Sequence, residues 1–265
     1  MSPTPEAASF YDAMWDRYAH LDAASPAAFH RRRLISELAA RYAPDARDLL
    51  DVGCGQGELL GDLARRLPNA RLSGADVSER SLEATRRRDP RIDTFSIDLM
   101  ASDFAETHRE RLGRFDLIAC SEVLEHVPDD DLAAERLGTL LAPGGHFVVT
   151  VPGGKKSRFD LAIGHLRHYD RETLRALLAG AGFEVLRVMA WGFPFHNLYR
   201  SAVRIAARVA IRDGAAAEPS DGGGSVVSNV LGRAYGLFGR VMKPLYYLNQ
   251  PRWGEQMLAV VRRAR

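Results

Sequence analysis

The chain has 265 residues, 46% of them hydrophobic and 26% charged, and a formal net charge of +2. That length allows a large buried core, and the near-neutral balance supplies no overall field for a polyanion, so no nucleic-acid partner is expected. Two cysteines, Cys54 and Cys120, lie in apolar surroundings and make no disulfide framework, which suits a reducing, cytoplasmic setting. The first residues, MSPTPEAASFYDAMWDRY, lack the basic and then apolar pattern of a secretory signal. No stretch approaches the roughly 18 apolar residues of a membrane-spanning helix. The basic residues are almost all arginine, and with the abundant alanine this matches the coding bias of high-GC bacteria.

In chain order, AAFHRRRLISELAARY has the apolar period of an amphipathic helix, and DLLDVG that of a short buried strand ending in glycine. The alternation continues with helix ELLGDLARRL, strand ARLSGADV, helix ERSLEATRRR, strand IDTFSIDL and strand FDLIAC. Then come helix DDDLAAERLGTLLAPGG, strand HFVVTVP, helix RETLRALLAGAGF, strand EVLRVMAW and a final strand GEQMLAVVRRA. Strands alternating with helices of this length predict βαβ units and a mostly parallel sheet covered on both faces. Between Trp191 and Gly254 the rhythm breaks, and residues 192–252 carry eight Arg and Lys against three acids, net +5.

Three acids fall at successive strand ends. DVGCGQG puts Asp51 just before glycines 53, 55 and 57, which lets backbone approach a ligand at a helix N-terminus. The G-x-G-x-G spacing departs from the dinucleotide fingerprint, and an acid inside the strand suits a cationic amino group better than a pyrophosphate. Asp76 closes the second strand, where it can accept from ribose hydroxyls, and Asp98 closes the third, where it can take an adenine amine.

LLDVGCGQGELL, GADVS, SIDLM, FDLIACSEVLEHVPD and LLAPGGHFVVTVPGG resemble, in this order, the motifs of class I S-adenosylmethionine-dependent methyltransferases. The likeness covers about residues 29–190 and the last strand, and CSEVLEHVPD is most similar to the ubiquinone-biosynthesis O-methyltransferase branch. The resemblance implies a Rossmann-like, doubly wound sheet of seven mostly parallel strands, the last antiparallel, with a helical insertion before it. It implies that Gly53 and Gly55 cradle the methionyl part of S-adenosylmethionine, with Asp51 near its amino group. Asp76 then holds the ribose, Val77 lies against adenine, Asp98 and Leu99 read the adenine edge, and Cys120 and Ser121 border the sulfonium. Three parts are expected: a lid helix at 1–26, a cofactor domain at 27–191 and 254–265, and an insertion at 192–253.

SEVLEHVPD follows the fourth strand, which sets Glu122, Glu125 and His126 beside the transferred methyl group. Three readings of this stretch stay open. Glu122, Glu125 and His126, with His165 as a fourth ligand, suit a divalent metal such as Mg²⁺ that polarises a hydroxyl, as in similar small-RNA and quinone O-methyltransferases. Without metal, His126, His165 or His168 is a catalytic base or orients the methyl acceptor. Glu125 and His126 are otherwise structural, because Val127 precedes Pro128 and ends any helical turn. GHLRHYD supplies Arg167 and Tyr169 as further lining of the methyl-acceptor site, and Asp170 as the N-cap of the next helix. Trp15, on an aromatic face with Phe10, Tyr11 and Tyr18, is expected to close over the site.

In the insertion, Arg200, Arg204, Arg208 and Arg212 recur every four residues and draw a basic stripe. It fits a solvated lid or homodimer helix, or a helix on a membrane surface or a lipid-like substrate; its alanine-rich apolar side favours the former. Tyr235, Phe238, Tyr246 and Tyr247 are placed to cover a large methyl acceptor. The expected activity is methyl transfer to a small-molecule hydroxyl in secondary metabolism or in quinone or envelope-lipid biosynthesis. N- or C-methylation is the alternative within the class; an NAD(P)-dependent oxidoreductase or a non-catalytic cofactor-binding module is the alternative outside it.

Overall fold

Short, continuously apolar strands need helices on both faces, and the computed structural model has that arrangement for the residues it describes: 25–198, 200, 201, 244–249 and 253–264. The expected lid, with Trp15, and most of the insertion lie outside them. The sheet runs β1 (Asp48–Val52), β2 (Arg71–Asp76), β3 (Asp93–Ser96), β4 (Phe115–Ser121), β5 (Leu141–Pro152), β6 (Phe183–Trp191) and β7 (Gln256–Arg263). Its spatial order is β3-β2-β1-β4-β5-β7-β6. Pairing from β3 to β5 is parallel, and β7 is antiparallel to both neighbours, as expected.

Alternate residues of each strand feed two cores. Leu50, Ile118, Cys120, Phe147 and Val149 pack with helices Asp130–Leu140 (α5) and Arg171–Gly180 (α7). Leu49, Leu117, Ala119 and Val148 pack on the opposite face with Pro26–Tyr42 (α1), Glu58–Arg66 (α2) and Glu79–Arg88 (α3). Each fully buried leucine contributes about 2 kcal/mol. Short helices at Phe104–Thr107 (α4) and Arg158–Ala162 (α6) were not foreseen.

Local chemistry fixes the helix ends. Ser25 accepts from Ala28 N–H and Pro26 opens α1, so the helix starts one residue earlier than its apolar pattern. Asp170 and Thr173 form a reciprocal capping box on α7. Two boundaries differ from the sequence reading. Helix α5 ends at Leu140 instead of continuing to the glycines, because Gly113 and Arg114 N–H groups take the Thr139 and Leu140 carbonyls and draw the chain into the sheet. Strand β3 stops at Ser96, so Asp98 lies two residues beyond it, although Ile97 N–H still reaches Asp76 O at 3.1 Å.

The direction of β1 to β5 sets their carboxyl ends along one edge, and the order reverses between β1 and β4. That switch point opens the crevice in which such sheets bind ligands. The insertion leaves and rejoins the same edge: Trp191 pairs with Gln256, and Phe193 N–H donates to Trp253 O at 3.0 Å. Gly254 is required there, since its Cβ would stand 1.9 Å from Trp191 O.

Candidate active site

On the β1 side of the crevice, Gly53, Gly55 and Gly57 all have positive φ. A Cβ on Gly53 would meet Val123 Cγ2 at 2.4 Å, so the loop runs against the segment after β4 with no room for a side chain. Asp51 is 2% exposed, and its Oδ1 has no hydrogen-bond partner among the described residues. Burial, and then the neighbouring charges of Asp76 and Glu58, push its carboxyl well above the usual range. A buried acid with one unsatisfied oxygen beside a backbone cradle fits a ligand with a cationic amino group and little bulk, as the methionyl part of S-adenosylmethionine has.

Asp76 ends β2 and is 6% exposed. Its two oxygens receive Gly55 and Ser78 N–H groups, each at 3.0 Å, so it holds the glycine loop as well as facing the crevice. Asp98 accepts from Met100 N–H at 2.8 Å. Leu99 is buried, and Val77 and Asp98 are half-buried. Arg136 from α5 donates to the Leu99 carbonyl and fixes this turn. Cys120 is fully buried, and Ser121 shares a hydrogen bond with Thr150 at 3.0 Å.

Beyond β4 the chain turns sharply. Glu122 has φ 57°, the only non-glycine residue with positive φ among those described, a strain of order 1 kcal/mol that local contacts must offset. Its N–H donates to Thr150 O at 2.9 Å, and its Oε2 lies 3.6 Å from Arg31 Nη1 on α1. A single turn follows, closed by His126 N–H to Val123 O. Glu125 is completely buried, and neither carboxylate oxygen has a hydrogen-bond partner among the described residues, although Oε1 lies 3.9 Å from His126 Nε2. Burial, and then Glu122's charge, raise its pKa well above the ordinary value. Burial lowers His126 to about 4 and keeps it neutral.

The GHLRHYD segment folds back onto this turn. Leu166 N–H donates to Glu125 O at 2.8 Å, and Tyr169 N–H to Pro152 O at 2.9 Å. His126 and His165 stand nearly perpendicular, ring centroids 4.8 Å apart, and burial with the two neighbouring histidines lowers His165 to about 3. Glu125, His126 and His165 each offer a ligand atom within 4.8 Å of the others. Three of the four residues expected around a metal are thus brought together, while Glu122 pairs with Arg31.

Arg167 and Tyr169 depart from the expected lining role. Arg167 donates to Val127 O at 2.5 Å and Pro128 O at 2.7 Å, and pairs with Asp130 at 3.2 Å. Tyr169 is 5% exposed and its hydroxyl reaches Leu124 O at 3.2 Å and Asp130 at 2.8 Å. Together they satisfy the carbonyls of the post-β4 turn, which a Val-Pro break leaves without helical partners. Asp130 opens α5, so the same contacts tie the turn to that helix.

Several residues near the crevice escaped the sequence reading. Arg31 and Asp160 carried no motif, and Gly154 closed one without being given a role. Arg200 did, but as part of a solvated stripe; the structure turns it inward, with Nη1 3.0 Å from Gly153 O and 2.9 Å from Glu255 O, and Nη2 3.4 Å from Asp160. Arg204, Arg208, Arg212, Tyr235 and Phe238 lie outside the described residues. Tyr246 is fully buried against His30, at 5.8 Å between rings, and so belongs to the core beside α1, whereas Tyr247 is exposed and stacks under Arg33.

A methyltransferase-domain family model matches residues 27–188. The chain therefore belongs to that family, and its sheet order and glycine loop are those of the class I S-adenosylmethionine-dependent methyltransferases. It is 34% identical over 119 residues to the ubiquinone biosynthesis O-methyltransferase of Acinetobacter baylyi, covering 44% of this chain and 49% of that protein. It is 36% identical over 138 residues to the Proteus mirabilis protein of the same name, covering 49% and 55%. The chain spans about half the length of these curated relatives. Among solved structures, Haemonchus contortus phosphoethanolamine N-methyltransferase 2, in complex with S-adenosylmethionine, is similar at a TM-score of 0.58. At 17% identity, covering 91% of this chain and 54% of that one, it speaks for the fold alone.

Proposed function

We propose that the protein transfers the methyl group of S-adenosylmethionine to a hydroxyl of a small molecule, a ring hydroxyl of a quinone precursor being the first choice. The observation that carries the hydroxyl reading is the pair of neutral imidazoles, His126 and His165, packed beside buried Glu125 at the end of β4. S-adenosylmethionine supplies an electrophilic methyl group on a positively charged sulfur. The protein's own residues have two tasks. Asp51, Gly53, Gly55, Asp76, Val77, Asp98 and Leu99 hold the donor, with Cys120 and Ser121 at the methyl group. A neutral histidine then receives the hydroxyl proton as the oxygen gains its methyl group. The names of the curated relatives support a quinone precursor.

A second reading is favoured by Glu125, whose buried oxygens have no hydrogen-bond partner among the described residues and only His126 Nε2 at 3.9 Å from Oε1. A divalent ion held by Glu125, His126 and His165 would satisfy them and lower the hydroxyl pKa. Residues 1–26 and 192–253 are assigned to covering the bound molecules, with contact to a membrane surface or a second copy of the chain as other uses of the insertion. Among the described residues no helix is long and apolar enough to cross a membrane.

Calorimetric titration of chelator-treated protein with S-adenosylmethionine, NADH serving as comparator, tests the donor. Binding of S-adenosylmethionine alone, in the micromolar range, is expected; preference for NADH overturns the assignment. Assays with hydroxylated rings and with primary amines then separate O- from N-transfer. Full activity after exhaustive EDTA treatment removes the metal reading.

A further inference from the structure

His165 and His168 are both candidate bases, only His165 also a candidate metal ligand, and their hydrogen bonds make them unequal as bases too. His168 Nδ1 lies 3.0 Å from the Gly154 carbonyl oxygen. A carbonyl only accepts, so Nδ1 must carry the proton. In a neutral ring Nε2 is then an acceptor, and it lies 2.9 Å from His165 Nδ1. His165 Nδ1 must therefore donate, which leaves His165 Nε2 as a lone pair. That nitrogen has no hydrogen-bond partner among the described residues.

The alternatives are closed by neighbouring groups. Near pH 8 both rings are above the ordinary imidazole pKa of about 6.5 and are neutral, as the pattern of hydrogen bonds requires. Asp160, the nearby acid, accepts from Ser157 N–H at 2.6 Å and Oγ at 2.7 Å, and faces Arg200 at 3.4 Å. Its backbone carbonyl takes His165 N–H at 2.9 Å, which fixes the His165 backbone while the ring is set from the other side. The Gly154 carbonyl belongs to the loop after β5, which Arg200 braces through Gly153. A relay from that loop thus decides which His165 nitrogen carries the proton.

We propose that His168 is a positioning residue: with the Gly154 carbonyl it locks His165 in the Nδ1–H tautomer, so that His165 Nε2 is the lone pair offered to the methyl acceptor's proton. This rests on the O-methyl-transfer reading for what the lone pair does, but not for its existence. The ring that touches the reacting hydroxyl is His165; His168 acts only through it. Support of this kind behind a reactive or ligating histidine is typically worth about 10–100-fold.

Long-range proton–nitrogen NMR of the full chain, with His165 assigned by the loss of its signals in His165→Gln, reads the tautomer directly. Wild type near pH 8 is expected to show His165 protonated at Nδ1 and bare at Nε2. His168→Leu removes both hydrogen bonds and should shift His165 towards the Nε2–H form. With an accepted substrate, kcat should then fall about 10–100-fold while the KM for S-adenosylmethionine stays within about twofold. His168→Gln can both accept and donate, and should restore most of the rate. A wild-type His165 protonated at Nε2 overturns the proposal, as does His168→Leu with unchanged tautomer and rate. Should His168→Leu fail to fold, the wild-type spectrum still decides. Should no substrate be methylated, the spectrum decides again, and only the function is lost.

Discussion

Asp76 takes the Gly55 N–H at 3.0 Å, so the acid expected to hold a ribose also shapes the loop expected to hold the methionyl group. The two halves of the donor site are therefore coupled. Asp76→Ala should weaken S-adenosylmethionine binding by at least about tenfold and cost about 1–3 kcal/mol of stability, since Gly55 and Ser78 N–H groups lose a buried acceptor. Asp76→Asn should be intermediate, because its amide can accept from only one of them. Calorimetry and thermal denaturation check both; unchanged affinity in Asp76→Ala would show that the ribose lies elsewhere.

Gly53→Ala brings a methyl group to 2.4 Å from Val123 Cγ2 and forces alanine to φ 74°. Two separable costs follow. The double variant Gly53→Ala, Val123→Ala should recover the steric part and leave about 1 kcal/mol of backbone strain. Binding isotherms of the single and double variants measure the split; no recovery would mean that backbone conformation alone governs the loop.

Tyr169→Phe deletes a hydroxyl that serves Leu124 O and Asp130 at once. The expected loss is about 1–3 kcal/mol in urea denaturation, with a lower kcat because Glu125 and His126 ride on the same turn. Loss of activity with full stability would instead place the hydroxyl against the methyl acceptor, as the sequence suggested.

His30 is buried against Trp191 and Tyr246, and burial followed by Arg33's charge lowers it from 6.5 to about 4. The native state then binds fewer protons than the unfolded chain between these values. This group therefore costs no stability above pH 6.5 and progressively more as the pH falls towards 4. The melting temperature of His30→Gln should fall less steeply than that of wild type across this window. Parallel curves would show that His30 titrates normally.

The sheet was legible because β4, β5 and β7 carry apolar runs, LIAC, FVVTV and MLAVV, and because strand and helix periods alternate along the chain. The acids at strand ends were legible because a sequence position at a strand's carboxyl end is also a spatial position. What lay hidden depended on contacts distant along the chain. Nothing local marks Arg31 as the partner of Glu122, or His168 as the hydrogen-bond partner of His165. Arg200 misled because a four-residue period says which residues share a helix face, not whether that face meets solvent or the backbone of another loop. Arg167 and Tyr169 misled for a similar reason: polar groups beside a site equally serve carbonyls that a Val-Pro sequence strands.

The insertion leaves β6 at Trp191 and rejoins β7 at Gln256, its directly opposite neighbour. A detour whose two ends are already adjacent is interchangeable: doubling its length adds only about 0.6 kcal/mol of closure entropy. Its anchoring ends stay tied to the sheet, through Arg200 on the Gly153 carbonyl of the relay loop and Tyr246 in the core beside α1, and only the sequence between those anchors is exchangeable. One chassis can thus keep its donor chemistry constant while successive descendants trade covers and, with them, the molecules they modify.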